Sequence, residues 1–479
     1  MNFFKSAIKG VYWTFLDLLI NKALYFITTI LLARVLGPTE FGLIGMITVF
    51  IAIGNSLIEG GMSTSILKMK SPLREDFSTV FWANVFVSIL VYVIVFICSS
   101  YIAQFYKEPI LENVIKIYSL GFIIISFKSI HIVRLTVNMK FKEITLFNMP
   151  GNIISSVVAI YLAYNGWGIW SLVVLFLLNQ IISTIVYWIG VKWSPDLLFD
   201  KKLFLRHFKF GYKLMLSSQL NVIFDNLNNI LIGKFFNAKM LGYYERAFTL
   251  NSYPISIFSS IISKVTLPFY AKIKDKKEEV LTIFKKSLEV ISFFSFIVSG
   301  LLFLISNDLI KGVLGDEWLT SIPIFNILIF SFAFYPVHTL NINMLNLYGR
   351  SDLFLKIEII KKIFAIIIVF FAIQYGILGL VYGNVIISIF SLYVNISTTS
   401  RIIMIGNKEQ FFLIMKNFLI ILISAILKVF FMNIEFESNI LLSILFKSFV
   451  YIISLVLFSE LIKLPSYLLV KKYLIKINR

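Results

Sequence analysis

The chain has 479 residues, of which 59% are hydrophobic and only 14% are charged, and its mean hydropathy is +0.89. Soluble domains average about 45–50% apolar and about 25% charged residues, so the composition excludes a soluble protein and indicates one embedded in a membrane. The formal net charge of +19 therefore has to be interpreted from its placement along the chain, and by itself it does not indicate nucleic-acid binding.

Apolar stretches of about 20 residues, long enough to cross about 30 Å of hydrocarbon, recur from one end of the chain to the other. We predict an all-α integral membrane protein with about fourteen transmembrane helices. The predicted spans are 10–34, 41–67, 78–104, 113–138, 144–164, 168–191, 207–236, 241–268, 284–306, 320–344, 353–374, 377–400, 410–432 and 439–461. The first span has no small-residue cleavage site behind it, which predicts an uncleaved helix. Cys98, the only cysteine, is predicted to be a small buried hydrophobic residue of the third span.

Lysine and arginine gather in the breaks that follow even-numbered spans. Residues 68–74, 201–209 and 272–277 are examples, whereas the break after the fifth span, 163–168, contains neither. By the positive-inside rule, the even breaks and both termini are expected to be cytoplasmic. The basic end of the chain then lies at the inner leaflet, where each cation near anionic lipid contributes about 1 kcal/mol.

The stretch LLARVLGPTEFGLIGM, residues 31–46, has a counterpart 200 residues later in LIGKFFNAKMLGYYER, residues 231–246. The coinciding positions include Arg34 with Lys234, Gly37 with Asn237, Phe41 with Leu241, and Gly42 with Gly242. A corner between two spans is therefore repeated.

The repeat predicts two six-helix lobes, residues 1–200 and 201–405, followed by two extra helices and a basic tail in residues 406–479. Because six is an even number, both lobes enter the membrane in the same orientation, as a parallel repeat about an axis along the membrane normal. Two similar lobes with a polar seam are typical of alternating-access transporters.

Polar side chains lie within the first helix of each predicted lobe. Asp17 and Asn21 share one face of span 1, and Asn221 and Asp225 share one face of span 7. An ionisable residue at the bilayer centre costs about 2.5–3.5 kcal/mol, so such residues usually face a cavity or a partner. We interpret both faces as cavity-facing, with helix-to-helix hydrogen bonding as the alternative. Lys22, beside the first face, is a candidate cavity cation or the ion-pair partner of Asp17.

Four further cations are candidates for contact with a substrate. Arg246 lies about a turn and a half into span 8, and Arg134 lies near the inner end of span 4, where its role is open between substrate contact and reaching the headgroups. Arg34 and Lys234 form a repeated pair at span ends, for which anchoring at the membrane interface is as good an explanation as substrate contact.

The motifs of several catalytic classes are missing from the sequence. It contains no HExxH metal motif, no Walker phosphate loop and only three histidines. We therefore predict that the protein is not an enzyme and needs no metal or cofactor. Transport would draw on an ion gradient, on the membrane potential or on the gradient of the substrate itself.

Several short motifs together resemble one known family. They are LLARVLGPTEFGLIGM, FSTVFWANV, NMKFKEI, NGWGIWSLV, LIGKFFNAKMLGYYER, VTLPFYAKI and NLYGRSD. In this order and spacing, the chain from about residue 10 to about residue 400 resembles the polysaccharide and O-antigen flippases of the multidrug/oligosaccharidyl-lipid/polysaccharide exporter superfamily, in particular the colanic-acid and teichuronic-acid exporter type. It departs from the family at Glu59, where the family has an aspartate, and at Asn237.

The resemblance implies export of an undecaprenyl-pyrophosphate-linked oligosaccharide from the cytoplasmic to the outer leaflet of the bacterial inner membrane. It implies a cationic cavity between two lobes, with Lys22, Arg246 and Arg134 holding the pyrophosphate, since cations are most effective in a low-dielectric cleft. Asp225 and Asp17 are predicted as ion-coupling or gating carboxylates, because a fixed negative charge would repel pyrophosphate. The coupling ion, proton or sodium, is left open.

Other functions stay as alternatives. An ion-coupled multidrug or small-molecule exporter, or a lipid II flippase, belongs to the same superfamily. A membrane-embedded glycosyltransferase or polysaccharide polymerase is an alternative of another class, although the breaks on the outer side are short. The expected partners are the lipid-linked oligosaccharide, membrane lipids and a polysaccharide polymerase with its assembly proteins, and no nucleic acid is expected.

Overall fold

The computed structural model describes residues 2–59, 61–431 and 439–477, without the side chains of residues 2–12, 14–19, 59, 265 and 473–477. Within these ranges the chain forms helices and contains no β-strand. The all-α prediction is therefore confirmed.

The helices are numbered in chain order. They are α1 (Asn2–Glu59), α2 (Met62–Leu67), α3 (Arg74–Tyr106), α4 (Ile110–Tyr118), α5 (Leu120–Val137), α6 (Phe141–Tyr164), α7 (Ile169–Gly190), α8 (Lys201–Asp225), α9 (Leu227–Phe235), α10 (Ala238–Ile273), α11 (Lys277–Leu314), α12 (Ser321–Ala333), α13 (Tyr335–Leu347), α14 (Ser351–Ala372), α15 (Gly376–Ile403), α16 (Asn407–Phe431), α17 (Ile440–Leu461) and α18 (Pro465–Ile477). Single 3₁₀ turns lie at Asp316–Trp318 and Ile373–Tyr375.

Every predicted span coincides with a helix or with two consecutive helices. Ten described stretches are long and apolar enough to cross a membrane; two of them, 20–58 and 351–403, each overlap two predicted spans. These ten stretches thus cover all predicted spans except the seventh and eighth, which correspond to α8–α9 and α10. The structure supports a multi-pass membrane protein, and the exact number of fourteen crossings stays a prediction.

The repeated corner has a structural counterpart. In the first copy, α1 bends at Gly37, whose φ is 71°, a conformation that glycine adopts without the steric penalty of a Cβ. In the second copy, Asn237 directly precedes α10 instead, and its side-chain Oδ1 accepts a hydrogen bond from the Met240 amide at 2.8 Å. Asparagine is a favoured N-cap residue. The two copies therefore form the same corner in different ways, with a glycine at positive φ in the first and an asparagine N-cap in the second.

The two corners pack against each other reciprocally. A methyl group added at Gly42 would lie 1.6 Å from the carbonyl oxygen of Ala238, and one added at Gly242 would lie 1.9 Å from the carbonyl oxygen of Pro38. Since Ala238 and Gly242 are the repeat equivalents of Pro38 and Gly42, each contact is the counterpart of the other. Such reciprocity is what a local two-fold relation between two like segments produces.

The chain divides into two compact units, Met1–Gly242 and Tyr243–Arg479. In the first unit, α6 packs against α1 and α7, while α8 packs against α1, α2 and α3. The division follows packing, whereas the predicted boundaries at 200 and 405 follow the sequence repeat. Those repeat boundaries stay a prediction.

A buried carboxylate joins three helices of the first unit. Asp76, at the start of α3, accepts hydrogen bonds from the Leu73 amide at 2.9 Å and through Oδ1 from His207 Nε2 at 3.0 Å, and it forms an ion pair with Arg206. The Nδ1 of His207 lies 2.9 Å from Ser65 Oγ. In a catalytic triad the serine bonds Nε2 and the acid bonds Nδ1, and here the two are exchanged. We therefore interpret these contacts as an anchor of α8 on α2 and α3.

In the second unit, α11 packs against α12, α13, α16, α17 and α18. The predicted extra pair of spans, now α16 and α17, is held to α11 by polar contacts. Asn417 Nδ2 donates to the carbonyl oxygen of Glu289 at 2.9 Å, and Lys447 Nζ forms an ion pair with Asp308 Oδ2 at 2.6 Å, with side-chain exposures of 11% and 20%. The tail also contains α18, a helix that the sequence reading treated only as a basic strip.

The glycine contacts of the corner predict a sharp intolerance of side chains. Gly42→Ala or Gly242→Ala should destabilise the protein by more than about 4 kcal/mol, a loss that only a few mechanisms produce, because backbone atoms of the facing corner would have to move. Thermal unfolding and monodispersity in detergent measure the effect. Gly406→Ala is the matched control, since its added methyl would meet nothing nearer than 3.8 Å. Equal melting of Gly42→Ala and Gly406→Ala would contradict the close approach.

The Asp76 anchor predicts a second loss of stability. Asp76→Ala should lower the thermal unfolding temperature clearly, since each hydrogen bond to a charged group contributes about 1.5–3 kcal/mol. Asp196→Ala is the control: Asp196 pairs with Arg74 at 2.8 Å, but both side chains are exposed, at 43% and 60%, and such surface pairs contribute at most about 1 kcal/mol. If both variants melt alike, Asp76 does not anchor α8.

Candidate functional site

The three predicted pyrophosphate ligands lie in different surroundings. Lys22 is exposed on α1, and Arg246 is half-buried on α10 in the second unit. Arg134 on α5 is half-buried, and its guanidinium lies 5.3 Å from the centre of the Phe77 ring and 4.9 Å from that of Trp193. These are cation–π distances. Aromatic stacking therefore accounts for the position of Arg134, and the pyrophosphate role of the three cations stays a prediction.

The predicted gating carboxylate Asp225 lies at a break between helices. It is the exposed last residue of α8, and Asn226 separates it from α9. The continuous helix predicted for residues 207–236 is thus interrupted within its polar stretch. Discontinuous helices are a recurring way of forming sites in transporters. The side chain of Asp17 lies outside the described residues.

Asn21 does not face an open cavity. It is 8% exposed, its Nδ2 donates to the Thr145 carbonyl oxygen at 3.2 Å, and its Oδ1 accepts a hydrogen bond from Asn152 Nδ2 at 2.9 Å. The interpretation of this residue as cavity-facing was wrong, and helix-to-helix hydrogen bonding explains it.

The repeated basic pair is split between two environments. Arg34 is exposed on α1. Lys234 is half-buried at the end of α9, where its Nζ donates to the carbonyl oxygen of Phe105 at 2.6 Å. A lysine that binds the last carbonyls of a neighbouring helix satisfies acceptors that the helix itself leaves free. Lys234 therefore has a local structural contact, and its role toward a substrate stays open.

The structure identifies a buried cation that the sequence reading missed. Lys128, in α5, is 8% exposed, and its Nζ donates to the side-chain oxygen of Gln180 on α7 at 2.6 Å. The acceptor is a neutral amide, and Lys128 forms no ion pair with any described residue. Among the side chains that the structure describes, its charge therefore has no carboxylate partner.

A chain of amides continues from this lysine through the first unit. Gln180 Nε2 donates to Asn179 Oδ1 at 3.3 Å, Asn179 Nδ2 to Asn152 Oδ1 at 2.6 Å, and Asn152 Nδ2 to Asn21 Oδ1 at 2.9 Å. An ammonium can only donate hydrogen bonds, so every amide accepts on the side of Lys128 and donates away from it. The chain links α5, α7, α6 and α1.

Lys128 also lines a cavity of about 280 Å³ between α1, α2, α5 and α8, with both aliphatic and hydroxyl-bearing side chains in its wall. The hydroxyl-bearing residues of its lining are Ser56, Ser63, Thr64, Ser129 and Ser218. Pockets for drug-sized ligands measure about 300–1,000 Å³, so this cavity has room for a small polar group. A single ammonium among hydroxyl donors is suited to an anion such as a phosphate.

The sequence contained a signal for this site. The run GFIIISFKSIHIV, residues 121–133, places one lysine within apolar residues of the fourth predicted span, and an intramembrane lysine is a candidate functional residue by default. The partners on α6 and α7 could not be identified in the same way, because isolated amides in membrane helices are common packing residues.

Comparison with known proteins agrees with the resemblance noted in the sequence. The model of the family described as polysaccharide biosynthesis protein matches residues 31–323. The teichuronic acid biosynthesis protein TuaB of Bacillus subtilis (strain 168) is 24% identical over 419 residues, 87% of this chain and 87% of its own. The lipopolysaccharide biosynthesis protein WzxC of Escherichia coli (strain K12) is 26% identical over 331 residues, 68% of this chain and 67% of its own.

A solved structure of the lipid II flippase MurJ, in an inward closed conformation, covers 95% of this chain and 99% of its own with a TM-score of 0.76 and 16% identity. At this identity the similarity establishes the fold. The predicted resemblance to the polysaccharide flippases and the predicted all-helical membrane fold are both confirmed. This multi-pass membrane protein belongs to the polysaccharide biosynthesis protein family.

Proposed function

We propose that the protein is a flippase that moves lipid-linked oligosaccharide repeat units from the cytoplasmic to the outer leaflet of the bacterial inner membrane by alternating access, for the synthesis of a surface polysaccharide. Family membership supports this function, as do relatives named for lipopolysaccharide and teichuronic acid biosynthesis and a fold shared with a lipid II flippase. In this proposal the protein is a transporter and not an enzyme, both termini are cytoplasmic, and a polymerase receives the exported units.

The observation that carries the proposal is Lys128 in its hydroxyl-lined cavity. A carrier lipid attached through pyrophosphate brings two or more negative charges, and these must leave water if the head group is to pass the bilayer. A buried ammonium whose described contact is a neutral amide attracts such a group more strongly than a surface lysine, because the local dielectric is lower. At about 280 Å³ the cavity suits the pyrophosphate and is too small for the glycan.

Lys22, Arg134 and Arg246 remain proposed auxiliary cations along the path of the pyrophosphate. Lys22 is exposed, whereas Arg134 and Arg246 are half-buried, so Lys22 is suited to a first encounter with an anion. Arg134 already stacks on two aromatic rings. A multidrug exporter is the second candidate, but a site centred on a lysine favours anionic substrates over the cationic ones that an acidic cavity would accept.

Removing the charge of Lys128 should abolish most export. Lys128→Gln is expected to lower the export of lipid-linked repeat units by roughly 10–100-fold, because a charge-assisted hydrogen bond of about 1.5–3 kcal/mol is lost, while Lys128→Arg retains partial activity. Surface polysaccharide in a deletion strain complemented with each variant, normalised to the amount of inserted protein, measures the effect.

Two further variants separate this role from packing. Lys116→Gln removes a lysine that pairs with Glu112 within α4 at 2.7 Å and should leave export unchanged. Gln180→Leu breaks the amide chain but keeps the ammonium, so it should melt earlier than the wild type and still export. Wild-type polysaccharide levels in Lys128→Gln, or equal loss of export in Gln180→Leu, would remove Lys128 from the substrate site.

Asp225 is proposed to couple export to an ion gradient. Its exposed position at the break between α8 and α9 allows access to an ion, and Asp225→Asn keeps the size of the side chain while removing its titration. We expect that variant to bind substrate but to lose the dependence of export on the proton or sodium gradient, measured in vesicles with an imposed gradient. Unchanged gradient dependence would show that Asp225 is only a polar residue of the helix break.

A further inference from the structure

An apolar groove lies on the first unit, between α1, α3 and α9. Its volume is about 600 Å³, and its lining contains no charged or amide side chain. The residues used below are Gly54 on α1, Ile94, Cys98 and Phe105 on α3, and Ile230 on α9. The groove is separate from the cavity that contains Lys128, with which it shares no lining residue.

The groove is long, and part of its wall is exposed. Its lining runs along α3 from Val91 to Phe105, which at a rise of 1.5 Å per residue corresponds to roughly 21 Å. Ile94 is 59% exposed and Phe105 is 40% exposed. At Gly54, an added methyl would lie 2.3 Å from the Phe122 ring, so the glycine allows α1 to approach α5 closely beside the groove. The shape suits one flexible hydrocarbon chain.

A cation lies at one end of this groove. The Nζ of Lys234 is 4.2 Å from the centre of the Phe105 ring and 2.6 Å from the Phe105 carbonyl oxygen, and Phe105 lines the groove. An ammonium has three donors, so this contact leaves donors for a second acceptor. The combination of a hydrocarbon-lined groove and a terminal ammonium matches a lipid whose single chain carries a phosphate.

We propose that this groove holds the isoprenoid chain of the lipid-linked substrate, with the phosphate next to the chain bound by Lys234. The inference rests on the proposed function. It assigns Lys234 to substrate contact, and it assigns the surface of α1, α3 and α9 to the lipid part, whereas Lys128 binds the head group at another stage of transport.

The ammonium of Lys234 has to supply most of the selectivity for one lipid over another. Lipid tails are as apolar as the side chains of the groove, so a chain that leaves the bilayer for the groove gains little from the hydrophobic effect. The groove contributes shape and the ammonium contributes the charge-assisted hydrogen bond. The loss of Lys234 should therefore weaken binding although it leaves the groove open.

Cys98 makes the occupant measurable, because it is the only cysteine of the chain and it is half-buried in the groove lining. It was predicted to be a small buried hydrophobic residue, and the structure shows it half-buried. The full-length protein in nanodiscs is alkylated with N-ethylmaleimide at neutral pH, where the reagent is selective for thiols, and intact mass gives the rate. Undecaprenyl phosphate is titrated in one series and dioleoyl phosphatidic acid, at equal mole fraction, in another. We expect undecaprenyl phosphate to slow alkylation at least fivefold and phosphatidic acid to leave it unchanged.

Three variants act as controls. Lys234→Gln should raise the half-protecting amount of undecaprenyl phosphate at least about tenfold, and Lys239→Gln, an exposed neighbour, should leave it unchanged. Ile94→Trp fills the groove from an exposed position and should abolish the protection by undecaprenyl phosphate. A cysteine at Ile386, in a second apolar hollow between α14 and α15, introduced together with Cys98→Ser, should not be protected.

Equal protection by both lipids would mean that bulk phospholipid fills the groove, and protection by neither would mean that no chain binds there; either result overturns the inference. Failure of the proposed function gives a different result. If undecaprenyl phosphate protects Cys98 but the cells export no lipid-linked sugar, the groove stands and the flippase function does not. If export is normal without protection, only the groove is wrong.

Discussion

The reciprocal contact of the two glycine corners determines how the first unit is assembled. Gly42 meets Ala238 and Gly242 meets Pro38 with no space for a side chain, so the starts of two helices approach at backbone distance. The end of α9, which immediately precedes this contact, is thereby held against α1 and α3. Helix α9 also approaches α3 closely at Gly233, where an added methyl would lie 2.9 Å from the Tyr106 ring. In this position Lys234 reaches the carbonyl oxygen of Phe105 in the last turn of α3.

The sequence predicted the helices well because apolar length is a strong local signal. It also predicted the repeated corner, although it could not predict that the two copies touch, since residues 200 positions apart carry no mark of contact. The site was predicted less well. The polar face of span 1 pointed to Asn21 as a cavity residue, although Asn21 is bonded to α6. Lys128 was visible in the sequence, but its amide partners depend on how α5, α6 and α7 pack.

The amide chain shows how a membrane protein can hold a buried lysine through neutral amide side chains. Each amide accepts a hydrogen bond from the residue before it and donates one to the residue after it. Because the ammonium of Lys128 can only donate, all the hydrogen bonds of the chain point away from Lys128. An anion that approaches Lys128 from the hydroxyl-lined cavity would add an acceptor without requiring the chain to reverse. The packing of four helices and the proposed site for pyrophosphate thus depend on the same nitrogen atom, so a stability measurement has to accompany any measurement of transport at this residue.

The ion pair between Lys447 and Asp308 has a consequence for the order in which the protein is made. The two residues are 139 positions apart, so α11 enters the membrane well before α17 has been synthesised. Inserting a lone charge in a transmembrane helix costs about 2.5–3.5 kcal/mol. For Lys447 on α17, the ion pair with Asp308 on α11 offsets that cost. Helix α17 therefore inserts beside a carboxylate that is already in the membrane, and the ion pair fixes the position of α17 along α11.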